Sequence, residues 1–247
     1  MSQNNTEHWH RRYIESDGAK MAIFTTIAIS IGGLIEIVPM YNLDTGPESM
    51  AGIEPYTPLE LAGRDIYVSE GCYNCHSQMI RPFRSETLRY GEWSRAGEYA
   101  YDHPFQLGSR RIGPDLQRVG GKYPDAWHFE HMRDPRATSP GSIMPAYSWL
   151  HEYTYNVSDI HSTVKAMVTL GVPYDAQAAS LDGVTASVES QATGIVARLA
   201  ESGIETAPDR QIVAVIAYLQ RLGVDGRASI EAASTDAGAD APSGGVL

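Results

Sequence analysis

Both cysteines of this 247-residue chain lie in one short motif, Cys72-Tyr73-Asn74-Cys75-His76. The Cys-x-x-Cys-His spacing is the attachment signal for c-type haem: two thiols bond to the two vinyl groups of one porphyrin, and the next histidine presents its imidazole to the iron. A thioredoxin-like dithiol would need a βαβ frame, which the sequence does not show, and a zinc site would need further ligands at short spacing. The motif therefore predicts one covalently attached haem c, held by Cys72, Cys75 and His76, with His76 as an iron ligand.

A run of apolar residues near the N-terminus is long enough to cross a membrane. Residues 21–40 read MAIFTTIAISIGGLIEIVPM, and a helix of this length spans about 30 Å, the thickness of a bilayer core. The run is too long for a signal peptide, and no small-residue cleavage site follows it. We predict a transmembrane helix over 21–40, in which Glu36 either reaches the headgroup layer or faces a polar partner in another membrane subunit.

The charges that flank this run predict its orientation. Arg11, Arg12 and Lys20 precede it, and no lysine or arginine follows before Arg64. Because positive residues favour the cytoplasmic side, residues 1–20 are predicted to be cytoplasmic and the rest of the chain to lie outside the inner membrane. After the helix we predict a linker over 41–56, a folded domain over 57–224 and a disordered tail over 225–247.

Two amphipathic helices are indicated within the folded domain. Thr57 and Glu60 flank Pro58 in the spacing of a capping box, so a helix is predicted to start there and to run up to the cysteine motif. A second helix is predicted over 209–222, and Gly63 would let it approach the first closely. Further helices are predicted over 158–170 and 187–202, which makes the fold mainly α.

The charge balance excludes one class of partner. The chain has 19 lysines and arginines against 30 aspartates and glutamates, a formal net charge of −11. Nucleic-acid binding needs a basic face that replaces phosphate counterions. We therefore expect no nucleic-acid partner.

Beyond these patterns, the order of the motifs along the chain resembles that of a class I cytochrome c. A helix that ends in Cys-x-x-Cys-His is followed by Gly113-Pro114-Asp115-Leu116, by Met144-Pro145 and by the final amphipathic helix. The resemblance implies that the carbonyl of Pro114 accepts a hydrogen bond from the second ring nitrogen of His76. It also implies that Met144 is the distal iron ligand.

Histidines remain as alternatives for the distal position. Met79 follows the motif too closely to reach the opposite face of the haem, whereas His103, His128 and His131 are other candidates. Met144 is favoured because prolines stiffen its loop and a stiff loop holds a weak thioether ligand in place.

Two long insertions go beyond a generic cytochrome c, over 78–111 and 146–208. The stretches GCYNCHSQMIRPF and Met144–Leu150, with the anchor GGLIEIVP, resemble the mono-haem cytochrome c subunit, subunit II, of cbb3-type cytochrome c oxidase, the CcoO/FixO family. The first insertion is rich in arginine and aromatic residues, and we interpret it either as surface packing or as a docking surface. In the second interpretation Arg81, Arg84 and Arg136 are candidate counter-charges for the haem propionates.

The resemblance implies a single-pass subunit of the bacterial inner membrane with a periplasmic haem domain. Such a subunit passes electrons from a di-haem cytochrome c subunit, or from a soluble cytochrome c, to haem b of a multi-span catalytic subunit that reduces oxygen and pumps protons. It has no catalytic residues of its own. The alternatives are a membrane-anchored cytochrome c shuttle, the haem c subunit of a nitric oxide reductase, and a haem-based sensor.

Overall fold

The computed structural model describes the backbone of residues 8–42, 49–108 and 110–239, with side chains described up to Ala232 except those of Arg12 and residues 40–42. The chain divides into two compact units, Met1–Gly46 and Pro47–Leu247. Over the described residues the chain is helical and contains no β-strand, which confirms the prediction of a mainly α fold. The boundary between the units lies inside the predicted linker, of which residues 43–48 lie outside the described residues.

The described residues of the first unit form one long helix and a short turn that precedes it. A π-helical turn at Arg11–Glu15 precedes α1, which spans Gly18–Asn42 and contains Pro39. The segment Gly18–Pro39 is long and apolar enough to cross a membrane, and it is the one such helix among the described residues. This helix includes the predicted span over 21–40, so its length and composition fit the predicted membrane anchor.

The second unit contains eight α-helices and three short 3₁₀ helices within the described residues. The α-helices are α2 (Pro58–Ser69), α3 (Arg84–Tyr90), α4 (Asp125–Arg133), α5 (Pro135–Thr138), α6 (Val157–Thr169), α7 (Leu181–Glu201), α8 (Gln211–Arg221) and α9 (Val224–Ala239). The 3₁₀ helices are Cys72–Asn74, Ala96–Tyr99 and Ser148–His151. The predicted helices over 158–170, 187–202 and 209–222 correspond to α6, α7 and α8.

Helix α2 begins at the position that the capping-box pattern predicted. The Thr57 hydroxyl accepts from the backbone N–H of Glu60, whose carboxylate accepts from the Thr57 N–H at 2.8 Å, so the capping box is formed. These two backbone N–H groups have no partner within the helix, and the capping box supplies one to each, so the start of α2 is fixed. The cysteine motif follows at the C-terminal end of the helix.

The centre of the core is the contact between α2 and α8. A Cβ built on Gly63 would lie 1.9 Å from the carbonyl oxygen of Ala214, so the two backbones touch at a point where no side chain fits. The aromatic rings of Tyr67 and Tyr218 meet edge to face beside it, with centroids 5.4 Å apart. The predicted close approach at Gly63 is therefore confirmed.

The first insertion is held to the core by buried polar contacts. Arg64 of α2 donates to Asp102 at 2.5 Å, and Arg118 donates to Glu98 at 2.7 Å. All four side chains are nearly inaccessible to solvent. Since a buried charge is costly unless it is paired, these contacts fix the path of the insertion over α2. The second insertion forms α6 and α7, which pack on α2, and α7 also packs on α8.

The C-terminal segment differs from its prediction. The sequence predicted a disordered tail from residue 225, whereas α9 covers Val224–Ala239. Asp225 pairs with Arg221, and Arg227 donates to the carbonyl of Gly120 at 2.7 Å. Alanine-rich sequence has a high intrinsic helix propensity, and these contacts hold the first turn on the domain. Residues 240–247 lie outside the described residues.

Candidate haem site

The cysteine motif lies at the C-terminal end of α2 and faces a cavity of about 540 Å³. Gly71, with a φ of 70°, ends the helix, and the next residues turn in a 3₁₀ helix so that Cys72, Cys75 and His76 all line the cavity. Burial raises the pKa of the Cys72 thiol to about 12. A reactive dithiol needs a lowered thiol pKa, so this environment does not favour redox exchange between the cysteines.

The imidazole of His76 is oriented by a backbone carbonyl. Its Nδ1 lies 2.8 Å from the carbonyl oxygen of Pro114, the contact that the class I resemblance implied. A carbonyl only accepts, so Nδ1 carries the proton and Nε2 keeps a lone pair that is free to bind a metal. Burial lowers the pKa of His76, against smaller raising effects of the Pro114 carbonyl and Asp115, so the ring is neutral at pH 7.

The loop that carries Pro114 has almost no room to move. A Cβ built on Gly113 would lie 2.3 Å from Cε1 of His76. The Gly113 N–H donates to the carbonyl of Cys75 at 2.9 Å, and the Leu116 N–H donates to that of Ser77 at 2.8 Å. The loop is thus hydrogen-bonded to the motif on both sides of the His76–Pro114 contact.

Met144 lies in the wall of the same cavity, in the loop between α5 and the 3₁₀ helix Ser148–His151. The backbone N–H of Met144 donates to the Ser142 hydroxyl at 3.2 Å, and the N–H of Tyr147 donates to the carbonyl of Met132 at 2.8 Å. The first bond lies within the loop, and the second joins the end of the loop to α4. The structure therefore brings Met144 and His76 to one cavity, as a pair of axial ligands requires.

Two histidines of α4 also line the cavity. The Nδ1 of His131 lies 2.6 Å from the Thr138 hydroxyl, and its ring stacks on Trp127 with centroids 4.4 Å apart. His128 is buried, which lowers its pKa to about 4, and its Nε2 has no hydrogen-bond partner within the described part of the chain. The remaining candidate, His103, is not part of the lining.

The arginines expected at the haem propionates are placed elsewhere. Arg81 and Arg136 do not line the cavity, and neither does Arg84. The guanidinium of Arg81 instead pairs with Glu86, which turns it toward the insertion. The cationic side chains in the lining are Arg118 and Lys122. The assignment of Arg81, Arg84 and Arg136 as counter-charges for the propionates therefore stays a prediction, and the ion-pair partner of Arg81 could not be read from the sequence.

The remaining wall of the cavity is mostly apolar and comes from distant parts of the sequence. It includes Tyr67 of α2, Ile112 and Leu116 beside Pro114, and Val215 and Leu219 of α8. An apolar cavity of a few hundred Å³ with a small number of fixed polar groups is suited to a large planar cofactor. The sequence predicted the helix over 209–222 that carries Val215 and Leu219, but only the fold shows that these two side chains line the same cavity as the motif.

The donor set fits a haem. Two thiols, the open Nε2 of His76 and the thioether of Met144 all belong to residues that line the cavity. In comparisons with known proteins, a family model described as cytochrome c oxidase, mono-haem subunit/FixO, matches residues 10–225. The chain belongs to this family. A comparison with curated protein sequences gave no match.

Membership in the FixO family has direct consequences for this chain. It is the mono-haem subunit of a cytochrome c oxidase, so it carries one haem and assembles with other oxidase subunits. The match covers α1 as well as the haem cavity, so the membrane anchor is part of the family pattern. The resemblance noted in the sequence is therefore confirmed at the level of the family.

Proposed function

We propose that this subunit relays electrons through one covalently bound haem c to haem b of the catalytic oxidase subunit. Its donor is the di-haem cytochrome c subunit or a soluble cytochrome c. The observation that carries the proposal is the contact of His76 Nδ1 with the Pro114 carbonyl at 2.8 Å, beside Cys72 and Cys75 in one cavity. Bound there, the haem supplies one-electron chemistry between two oxidation states of its iron.

The side chains around the cavity support a relay and not a site of substrate chemistry. His76 is neutral and oriented, and Met144 lies in the wall of the same cavity, so this chain would supply both ligands to the iron of a bound haem. With both ligands supplied, no position would be open to oxygen. Electron transfer between haems depends on the distance between them, their relative orientation and their reduction potentials, and it needs no proton-transfer groups.

The proposed topology follows the charge distribution. Residues 1–20 are cytoplasmic, α1 crosses the inner membrane, and the domain that begins near residue 57 lies in the periplasm. Arg11 and Lys20 on the N-terminal side, with no cation again before Arg64, support this orientation. The site of c-type haem attachment outside the cytoplasm agrees with it.

The relay is tested by following haem b in the purified oxidase complex after rapid mixing with a reduced donor. Wild-type complex is expected to show reduction of haem c before haem b. A Met144→Ala complex is expected to retain its subunits but to reduce haem b at least about tenfold more slowly, because loss of an axial ligand changes the iron's potential and reorganisation. Met79→Leu is the matched control, since Met79 is a methionine outside the cavity lining.

Two results would contradict the relay. One is reduction of haem b at the wild-type rate in the Met144→Ala complex. The other is isolation of this chain in mild detergent with no haem b in the preparation, which is expected of a shuttle that acts alone.

A further inference from the structure

We propose that Asp115 and Arg111 form a charge-balanced brace behind His76, which positions the Pro114 carbonyl and sets the reduction potential of the haem iron. The brace is defined as Ser77, Arg81, Glu86, Arg111 and Asp115. This inference rests on the proposed ligation of haem by His76. It gives the first insertion a role in the haem site itself, separate from any role in docking.

Asp115 connects the two segments that meet at the His76 imidazole. Its side chain is fully buried. Its Oδ2 accepts from the Ser77 hydroxyl at 2.6 Å and from the Met79 N–H at 2.9 Å, and its Oδ1 accepts from the Gln117 N–H at 2.9 Å. The residue after Pro114 is therefore bonded to the residues that follow His76, so both ends of the His76–Pro114 contact are held by one carboxylate.

Arg111 closes the brace from the insertion. Its Nε donates to the Ser77 hydroxyl and its Nη2 to the carbonyl of Met79, both at 2.8 Å. The same Nη2 lies 3.6 Å from Oδ2 of Asp115 and 2.7 Å from Oε2 of Glu86. The arginine thus contacts the residues that follow the motif, the Pro114 loop and α3 at once, with only 19% of its side chain exposed.

The two anions of the brace, Asp115 and Glu86, are balanced by its two cations, Arg111 and Arg81. Arg111 faces Asp115 and Glu86, while Arg81 supplies a second cation to Glu86 through its Nε at 2.6 Å. In a partly buried site a charge acts over a longer distance than in water, so each member affects a nearby iron. An anion stabilises the oxidised iron, which carries the larger positive charge, and a cation stabilises the reduced iron.

The test is a redox titration of the full haem-loaded chain in detergent. Asp115→Asn removes the anion and is expected to shift the midpoint potential upward. Arg111→Gln leaves Asp115 uncompensated and is expected to shift it downward. Each change is expected to alter the ratio of oxidised to reduced protein at a fixed potential about tenfold, equivalent to about 59 mV for one electron.

Glu60→Gln is the matched control. Glu60 is also a buried carboxylate, which accepts from the Thr57 N–H and from Gln191. It lies at the opposite end of α2 from Cys72, about 18 Å away at helical rise. We expect this variant to lose stability but to keep the wild-type potential.

A milder variant tests the positioning role without a change of charge. Ser77→Ala removes the hydroxyl that bridges Arg111 and Asp115, and it is expected to shift the g-values in the electron paramagnetic resonance spectrum of the oxidised protein, which respond to the hydrogen bond and orientation of an imidazole ligand. If a charge variant fails to accumulate with haem, the g-values of Ser77→Ala decide the matter, and unchanged g-values overturn the brace.

The brace is also overturned if Asp115→Asn and Arg111→Gln shift the potential in the same direction, or no further than Glu60→Gln. These outcomes differ from a failure of the proposed function. Wild-type protein without His76-ligated haem would remove the relay itself, whereas unchanged variants of a correctly ligated protein would remove the brace alone.

Discussion

At the scale of single residues, the site depends on one glycine that leaves room for an imidazole. Gly113 packs against His76 with no space for a side chain. The sequence motif Gly-Pro-x-Leu implied the Pro114 contact through resemblance, but the reason for the glycine appears only when the ring of His76 is placed against it. A local pattern does not show which distant side chain fills the space.

Gly113→Ala is the first residue-scale prediction. The added Cβ would lie 2.3 Å from Cε1 of His76, so either the ring or the loop must move and the hydrogen bond to Pro114 is lost. We expect less haem-loaded protein and a destabilisation of about 1–3 kcal/mol, the usual cost of overpacking. Haem absorbance per mole of protein and denaturant unfolding measure the two effects, and Gly194→Ala is the control for loss of a glycine, because the nearest atom there is 3.6 Å from the added Cβ. Wild-type values for Gly113→Ala would contradict the packing argument.

The distal ligand gives the second prediction. Met144→Ala is expected to leave haem attached through the cysteines but to open a coordination position, because attachment and distal ligation use different residues. The absorption band from thioether to ferric iron should disappear, while Met132→Leu, a change at another methionine of the cavity wall, should keep it. A retained band in Met144→Ala would show that another residue, with His131 the first candidate, is the ligand.

The buried His128 predicts a dependence of stability on pH. Burial lowers its pKa from 6.5 to about 4, so the folded protein binds this proton less readily than the unfolded chain. The contribution of neutral His128 to the free energy of unfolding is present above pH 6.5. It is lost as the pH falls from 6.5 toward 4, and about 2 kcal/mol is lost at pH 5. Denaturant unfolding at pH 7 and pH 5 should show a smaller difference for His128→Leu than for wild type. Equal differences would assign the acid sensitivity to other groups.

At the scale of elements, the helices with strong local signals were predictable and those fixed by distant contacts were not. The capping box of α2 and the amphipathic pattern of α8 are properties of short segments, so the sequence was sufficient for them. Helix α9 has no clear apolar period, and its first turn depends on Arg221 and on the carbonyl of Gly120. The path of the first insertion likewise depends on ion pairs such as Arg64–Asp102, which join residues far apart in sequence.

The contact between α2 and α8 yields the element-scale prediction. Gly63→Ala would place a Cβ 1.9 Å from the Ala214 carbonyl oxygen, so the helices must separate, and we expect a loss of about 3 kcal/mol or more. Gly194→Ala is the control on α7, where the nearest atom is 3.6 Å from the added Cβ. There the higher helix propensity of alanine is expected to raise stability by up to about 1 kcal/mol. Thermal unfolding measures the change in stability of both variants. Similar changes for Gly63→Ala and Gly194→Ala would contradict a tight helix crossing at Gly63.

At the scale of the whole molecule, the chain combines an apolar anchor with an acidic haem domain. The anchor was predictable because length and hydropathy are summed over a single segment, and α1 includes the predicted span. The cavity was predictable only in part: Cys72, Cys75, His76, Pro114 and Met144 are brought together, whereas Arg81 and Arg136 are not. A haem-attachment motif can be recognised from residue types and their spacing alone. An arginine can act as a counter-charge only if the fold leaves it without another ion-pair partner, which the sequence does not show.

The central claim is that one haem is covalently linked to Cys72 and Cys75 in the folded domain. The most direct measurement is the mass of the denatured full chain after expression in a host that matures c-type haem, together with its absorbance after acid extraction. The account predicts a mass increased by one haem, colour that stays with the polypeptide, and loss of that attachment in the Cys72→Ser/Cys75→Ser double variant. A colourless chain, or a haem that acid extraction removes from the wild-type protein, would contradict it.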